Sequence, residues 1–311
     1  MQRPGRLGIG IIGAGKVGAV LGAALRAAQH AVVGVSAVSE ASRERAELLL
    51  PGVPILEIQD IVERAELVLL AVPDDALGPL VVGLAKLGAW QPGQLVAHTS
   101  GRHGVGILAP VRAAGAIPLA IHPAMTFTGM SLDLARLTDC CFGVTADPAM
   151  LPIAQALVVE MGGEPVVIAE GDRAAYHAAL AHGSNHLVTI TSQAAEILGR
   201  IGVADPAAVL GPLLRASLDN ALAAGESALT GPVARGDAGT VAAHVSALAE
   251  FADDGADILD AYRAMAHATA VRAEWRGRLS AKARAEIERA LEGARESDED
   301  RTSDKDTEED E

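Results

Sequence analysis

The chain opens on a short apolar run, residues 7–12 (LGIGII), and similar runs return at 30–38, 66–72, 94–98, 117–122, 141–145 and 164–169. They are continuous rather than alternating, the pattern of strands buried on both faces of a parallel sheet. Stretches of helical spacing separate several of them, first at about Lys16–Ala28 and then from a polar start at Ser39–Leu50. Strands alternating with helices predict a doubly wound, mainly parallel α/β sheet across residues 1–170, because right-handed crossovers leave few other topologies. Beyond Asp172 the strand signal ends. Ala/Leu-rich helical periodicity runs on to about Leu291, with breaks at 202–206, 230–237 and 253–255, and predicts an all-α second domain over 171–295. Its helices are apolar on more than one face, which a domain of that size cannot hide alone. A homodimer through the helical domain is therefore expected. No internal repeat is present.

The turn after the first apolar run reads Gly13-Ala14-Gly15-Lys16-Val17-Gly18, a G-x-G-x-x-G spacing that follows a strand and opens a helix. In that setting Gly13 permits a tight turn, Gly15 lets a pyrophosphate approach the backbone, and Gly18 lets helix and sheet close up. Backbone N–H groups and the helix dipole then hold the phosphate charge. These residues predict a dinucleotide-binding, Rossmann-type domain. The residues after the second strand bear on which dinucleotide it takes. Ser39 and Ser42 can donate to a 2′-phosphate and Arg43 can pair with it, favouring NADP, whereas Glu40 favours NAD if the strand runs one residue longer. NADP is the expectation and NAD the alternative.

Further candidates come from the ends of later strands, where ligands bind in such sheets. Val72, Pro73 and Asp74 follow one run, and Thr99 and Ser100 follow another; all five are expected along the cofactor. Asp74 or Asp75 serves equally as a helix cap. His98 and His122 end neighbouring strands at the same edge. The first helix of the second domain carries Tyr176-His177 and, two turns on, Ser184-Asn185-His186. Positions 177, 181, 184, 185 and 188 share a face, which turns His177, Ser184 and Asn185 toward the cleft together. The catalytic candidates are His177, whose ordinary pKa of about 6.5 suits general acid work, Asn185 to orient a substrate, and His122. Ser184 and Arg235, the latter in the Thr230–Asp237 loop, are expected to bind substrate, although Arg235 and Asp237 alternatively brace their own loop. His182 and His186 sit four apart but lack a third ligand, so no metal is expected.

Composition narrows the partners. The net charge is −15, but residues 296–311 hold ten acids against Arg301 and Lys305, leaving seven negative charges to the rest. With no basic excess to neutralise phosphates, a nucleic-acid partner is excluded, and the acidic tail at 296–311 is expected to be disordered. The 21 Arg against 4 Lys reflect coding composition rather than function. Cys140 and Cys141 are adjacent and read as small strand hydrophobes rather than a disulfide, in keeping with a reducing compartment. Lys16 interrupts the only stretch resembling a signal peptide, and Asp74 and Asp75 break the apolar stretch 67–85. A cytoplasmic protein with a small-molecule substrate and no membrane partner is expected.

The segments GIIGAGKVG, AVPDDAL, HTSG, HPAMTF, YHAALAHGSNHL and ALTGPVARGD occur in that order. Over about residues 7–275 the chain resembles a bacterial family that joins an NADP-oxidoreductase-like Rossmann domain to a conserved helical domain of unknown function. That family lies in the 6-phosphogluconate-dehydrogenase-like superfamily, among deazaflavin-dependent NADP reductases, pyrroline-5-carboxylate reductases and ketopantoate reductases. The resemblance implies NAD(P) bound between domains and dimerisation through helices, on a scaffold without a settled substrate. One departure stands out. Hydroxyacid dehydrogenases and ketopantoate reductases in that neighbourhood use a lysine on the first helix of the second domain. Here the lysines are Lys16, Lys86, Lys282 and Lys305, and none falls there. The expected activity is an NAD(P)-dependent oxidoreductase moving hydride to or from a small carbonyl or imine, with His177 replacing the lysine. Two alternatives are a non-catalytic NADP-binding sensor or scaffold, which the missing lysine and the acidic tail would suit, and a reductase using a deazaflavin-type cofactor.

Overall fold

The computed structural model of the protein describes residues 6–293; the acidic tail lies outside them. Seven strands form one sheet: β1 (Gly8–Ile12), β2 (Ala31–Ser36), β3 (Leu67–Leu70), β4 (Leu95–His98), β5 (Ile117–Pro123), β6 (Cys141–Ala146) and β7 (Glu164–Val167). Their order is β2-β1-β3-β4-β5-β6-β7. Pairings from β2 to β5 are parallel, β6 runs antiparallel to β5, and β7 is parallel to β6. The chain therefore reverses direction between β5 and β6. The carboxyl ends of β1, β3, β4 and β5 share one edge with the start of β6.

Side chains alternate between the two faces of each strand. Leu67 and Leu69 join Ile9, Ile11, Leu119, Ile121 and Phe142 on one face, under α1 (Lys16–Ala27), α2 (Glu40–Leu49) and the later α7 (Leu151–Glu160). Val68 and Leu70 join Val96 on the other face, under α3 (Ile58–Arg64), α4 (Asp74–Lys86) and α5 (Ala109–Ala113). The short α6 (Leu132–Arg136) lies between β5 and β6. Both faces of the sheet are covered, as the continuous apolar runs require.

The helical part consists of α8 (Arg173–Arg200), α9 (Pro206–Ala224), α10 (Pro232–Arg235), α11 (Ala238–Ala249), α12 (Ala252–Trp275) and α13 (Ala281–Glu292). Asp205, Asp237 and Ser280 cap α9, α11 and α13 through side-chain oxygens that accept backbone N–H groups. A core of Val241, Val245, Ile258, Ala270, Ala273, Ile287 and neighbours holds α10 to α13 together. The break expected at 253–255 is not there, because α12 runs through those residues from Ala252. By contacts the chain divides into two compact units, ending at Ser184 and starting at Asn185, so the division falls within α8. Among the described residues no helix is long and apolar enough to cross a membrane.

Candidate active site

The glycine turn is built as its spacing requires. Gly13 has φ +101°, and a Cβ there would lie 2.5 Å from the Ala71 carbonyl oxygen at the end of β3. At Gly18 a Cβ would lie 2.1 Å from the Gly13 carbonyl oxygen, so helix and turn touch without a side chain between them. Gly15, by contrast, faces open space, with nothing within 4 Å of where a Cβ would stand. It caps α1 without a side-chain hydrogen bond, and the first turn of α1 carries no acid. A bare helix start beside an open glycine fits a diphosphate. Ala14 is buried, Val17 half-buried and Lys16 exposed at this start.

β2 ends at Ser36, which accepts the Gly13 N–H on its hydroxyl at 2.9 Å and the Ala14 N–H on its carbonyl at 2.8 Å. Ser39 caps α2 by accepting the Ser42 N–H, and the Ser42 hydroxyl donates back to the Ser39 carbonyl. Glu40 is thus the first residue of α2, not the last of β2, and no acid stands at the strand end. Arg43 is exposed and directs Nε to the Ala37 carbonyl at 3.4 Å. Arg45, which the sequence did not single out, donates to the Ala14 carbonyl at 3.1 Å. A Cβ on Gly129 would stand 2.6 Å from Arg45 Nε and 3.0 Å from Lys16 Cγ, so the loop after β5 rests on both cations. The register of α2, fixed by the Ser39 cap, is the signal that would have found Arg45.

Val72 lies beside Gly13, and Pro73 is the cap residue of α4. Neither Asp74 nor Asp75 accepts a capping hydrogen bond; both occupy the first turn, and Asp74 pairs with Arg102 at 3.6 Å. His98 is fully buried. Its Nδ1 accepts the Ser100 N–H at 3.1 Å, so Nε2–H donates to the Gly104 carbonyl at 2.8 Å. Burial holds its pKa down to about 4. His98 therefore shapes the loop that carries Thr99 and Ser100, and of the two strand-end histidines only His122 faces the site.

His122 is half-buried, and its Nδ1 lies 2.9 Å from the Tyr176 hydroxyl. Its ring meets those of Tyr176 and His177 edge to face, with centroids 5.6 and 6.0 Å away. Gly101 is wedged against both imidazoles: a Cβ there would lie 2.5 Å from His177 Cδ2 and 2.9 Å from His122 Nε2. Beneath them Arg173 is buried, donating Nε to Thr145 Oγ1 at 2.8 Å and Nη2 to the Ala120 and Gly143 carbonyls at 3.1 and 3.0 Å. Among the described residues no carboxylate lies within ion-pair distance of it; burial lowers its pKa, and the charge of Glu170 acts against that from farther off. Burial, then the Arg173 charge, then His177 hold His122 down to about 4. The imidazole is neutral near pH 7.

Ser184 and Asn185 lie exposed on α8, two turns past His177, and the division between the two units passes between them. Arg235 ends α10 in the second unit, where its charge is among those lowering the Asp237 carboxyl, behind two hydrogen bonds from Thr240. Among the described residues no group of three or more His, Cys, Asp or Glu could hold a metal ion. Cys140 and Cys141 are both free.

Two family models match the chain, a Rossmann-like domain over residues 1–123 and a domain of unknown function, DUF2520, over residues 140–269. The chain joins a Rossmann-like domain to a DUF2520 domain. The pairing expected from the ordered motifs is thereby borne out. The DUF2520 match begins at Cys140, so it takes in the strands β6 and β7 as well as Arg173, Tyr176 and His177. No curated protein matches the chain in sequence. Among solved structures, a Bacteroides fragilis protein assigned as an NADP oxidoreductase shares 20% identity at a TM-score of 0.72, over 85% of this chain and 98% of that one. Imine reductase from Myxococcus stipitatus in complex with NADP+ shares 18% at 0.57, over 85% and 92%. Pyrroline carboxylate reductase of Plasmodium falciparum with NADP bound shares 11% at 0.54, over 86% and 100%. At these identities the likeness is one of fold.

Proposed function

We propose that this protein is an NADP-dependent oxidoreductase passing hydride between the nicotinamide and a small carbonyl or imine. One observation carries the reading: a glycine cradle open at Gly15 and an imidazole pair, His122 and His177, stand at the same edge of one sheet. Structures of the same fold whose names include bound NADP support it. The glycine turn would hold the pyrophosphate, with Val72, Pro73, Asp74, Thr99 and Ser100 along the rest of the cofactor. Ser39, Ser42 and Arg43 would read the 2′-phosphate, and the serine rather than an acid at the end of β2 favours NADP over NAD. When bound, the cofactor supplies the hydride. His177 supplies the proton, and Ser184, two turns on along the same helix, contacts the substrate's polar groups.

The helical domain would also make the chain a homodimer. Val188, Ile201, Leu213 and Leu222 are 66%, 63%, 61% and 79% exposed, apolar side chains that a second copy would cover.

Titration with NADPH and NADH, followed by cofactor fluorescence and thermal shift, tests the reading. NADPH is expected to bind more tightly, and Arg43→Ala to abolish the preference. Binding of neither nucleotide would overturn it. Binding of NADPH without hydride exchange toward any carbonyl or imine would favour a sensor instead.

A further inference from the structure

The surroundings of His122 fix more than its presence at the site. The Tyr176 hydroxyl reaches His122 Nδ1 at 2.9 Å, and the opposite ring nitrogen, Nε2, faces Gly101 and His177. Among the described residues Nε2 makes no hydrogen bond. The Tyr176 phenol lies over backbone, because the antiparallel neighbour of His122 is Gly143: a Cβ there would stand 2.7 Å from the hydroxyl. Arg173 stands under the Tyr176 ring, 5.8 Å from its centroid. Burial raises the pKa of the phenol, so it keeps its proton, while the Arg173 cation works against that rise and makes the oxygen a poorer acceptor. The hydroxyl therefore donates to Nδ1. A neutral imidazole that accepts at Nδ1 carries its proton on Nε2.

We propose that Tyr176 is a positioning residue that fixes His122 as the Nε2–H tautomer, so that His122 donates a hydrogen bond to a substrate oxygen, and that the substrate is a carbonyl compound or its alcohol rather than a protonated imine. The substrate class follows from charge. An Nε2–H needs a lone pair to meet, and a protonated iminium nitrogen has none. The charged and titratable groups around His122 are Arg173, His177, His98 and Asp74 beside Tyr176; Glu170 acts on Arg173 only from a distance, its carboxylate being held by the Val105 and Gly106 N–H groups. The local field thus repels a cationic substrate and favours oxygen that gains negative charge. As the carbonyl carbon takes up hydride, the C=O π pair moves onto oxygen, held by His122 Nε2–H. That oxygen takes a proton from His177. The two electrons come from a dihydronicotinamide, which is oxidised as the alcohol forms.

This inference rests on the oxidoreductase reading, but its first test does not. Nitrogen-15 NMR of the full chain labelled at histidine, assigned by loss of one signal in His122→Gln, reads the tautomer directly. From about pH 5 to 8, His122 is expected to show a protonated Nε2 and an unprotonated Nδ1 without titrating. Tyr176→Phe, which keeps the ring packing, is expected to leave a mixture of tautomers. A wild-type Nδ1–H tautomer, or titration near the ordinary pKa of about 6.5, overturns the proposal. The second test compares butanal with 1-pyrroline, each with NADPH. Faster reduction of the aldehyde, with kcat lowered about 10²-fold in His122→Ala, supports it; preferential reduction of 1-pyrroline, insensitive to that substitution, overturns it. Failure to bind any dinucleotide falls on the oxidoreductase reading, and the tautomer measurement still decides this one.

Discussion

At the scale of single residues, two imidazoles, one buried and one half-buried, shape the protein's response to acid. His98 and His122 both have pKa values near 4 in the folded chain, against about 6.5 unfolded. Below pH 6.5 the unfolded chain takes up protons that the folded chain refuses. Stability from these groups is complete above pH 6.5 and is lost as pH falls toward 4. The thermal midpoint is expected to drop across that window, and His98→Asn, tolerated or not at pH 7, to flatten the drop. A midpoint insensitive to pH between 6.5 and 4 would show that the imidazoles are not held neutral. Gly101 is the other residue-scale test. Its missing Cβ leaves room for His122 and His177, so Gly101→Ala is expected to cost about 1–3 kcal/mol of stability from overpacking. It is also expected to displace the imidazoles enough to cut turnover more than nucleotide binding, measured as kcat beside NADPH affinity. Equal activity in that variant would remove both histidines from the reaction.

At the scale of elements, the loop after β5 is organised by one carboxylate. Asp133 at the start of α6 is buried and accepts the N–H groups of Thr128 and Gly129, both at 2.8 Å, together with the Thr128 hydroxyl. Those hydrogen bonds outweigh burial and hold its carboxyl below the usual range. The loop in turn lies on Lys16 and Arg45 beside the glycine turn. Asp133→Ala is expected to cost about 2–3 kcal/mol in urea unfolding and to weaken NADPH binding; an unchanged affinity would separate the loop from the cofactor. The strands and the glycine turn were legible in the sequence, because a buried parallel strand is a continuous apolar run and only glycine fits at Gly13 and Gly18. The loop was not, since nothing local marks Asp133 as buried. Arg173 was equally hidden. Its partners Thr145 and Ser100 lie 28 and 73 residues away in sequence, and a lone arginine at a helix start reads as solvated. The pairing of Tyr176 with His122 spans 54 residues and was invisible for the same reason.

At the scale of the whole molecule, α8 and α9 leave large apolar side chains exposed on a lone chain. Leu222→Asp with Leu213→Asp is expected to turn a dimer into a monomer in sedimentation equilibrium, with the sheet-bearing unit still folded by circular dichroism. A wild-type chain already monomeric at micromolar concentration would refute the dimer. The helix α8 also bears on how such a chain can be recombined. A gene segment ending after β7 encodes every strand of the sheet, yet omits the guanidinium that satisfies the Ser100, Ala120 and Gly143 carbonyls. A Rossmann-like segment exchanged at that seam would lose a buried donor to its own backbone unless the incoming helix brought an arginine in the same register. The seam between the two family models falls before β6, so strands β6 and β7 and the arginine that braces β6 stay on one side of it.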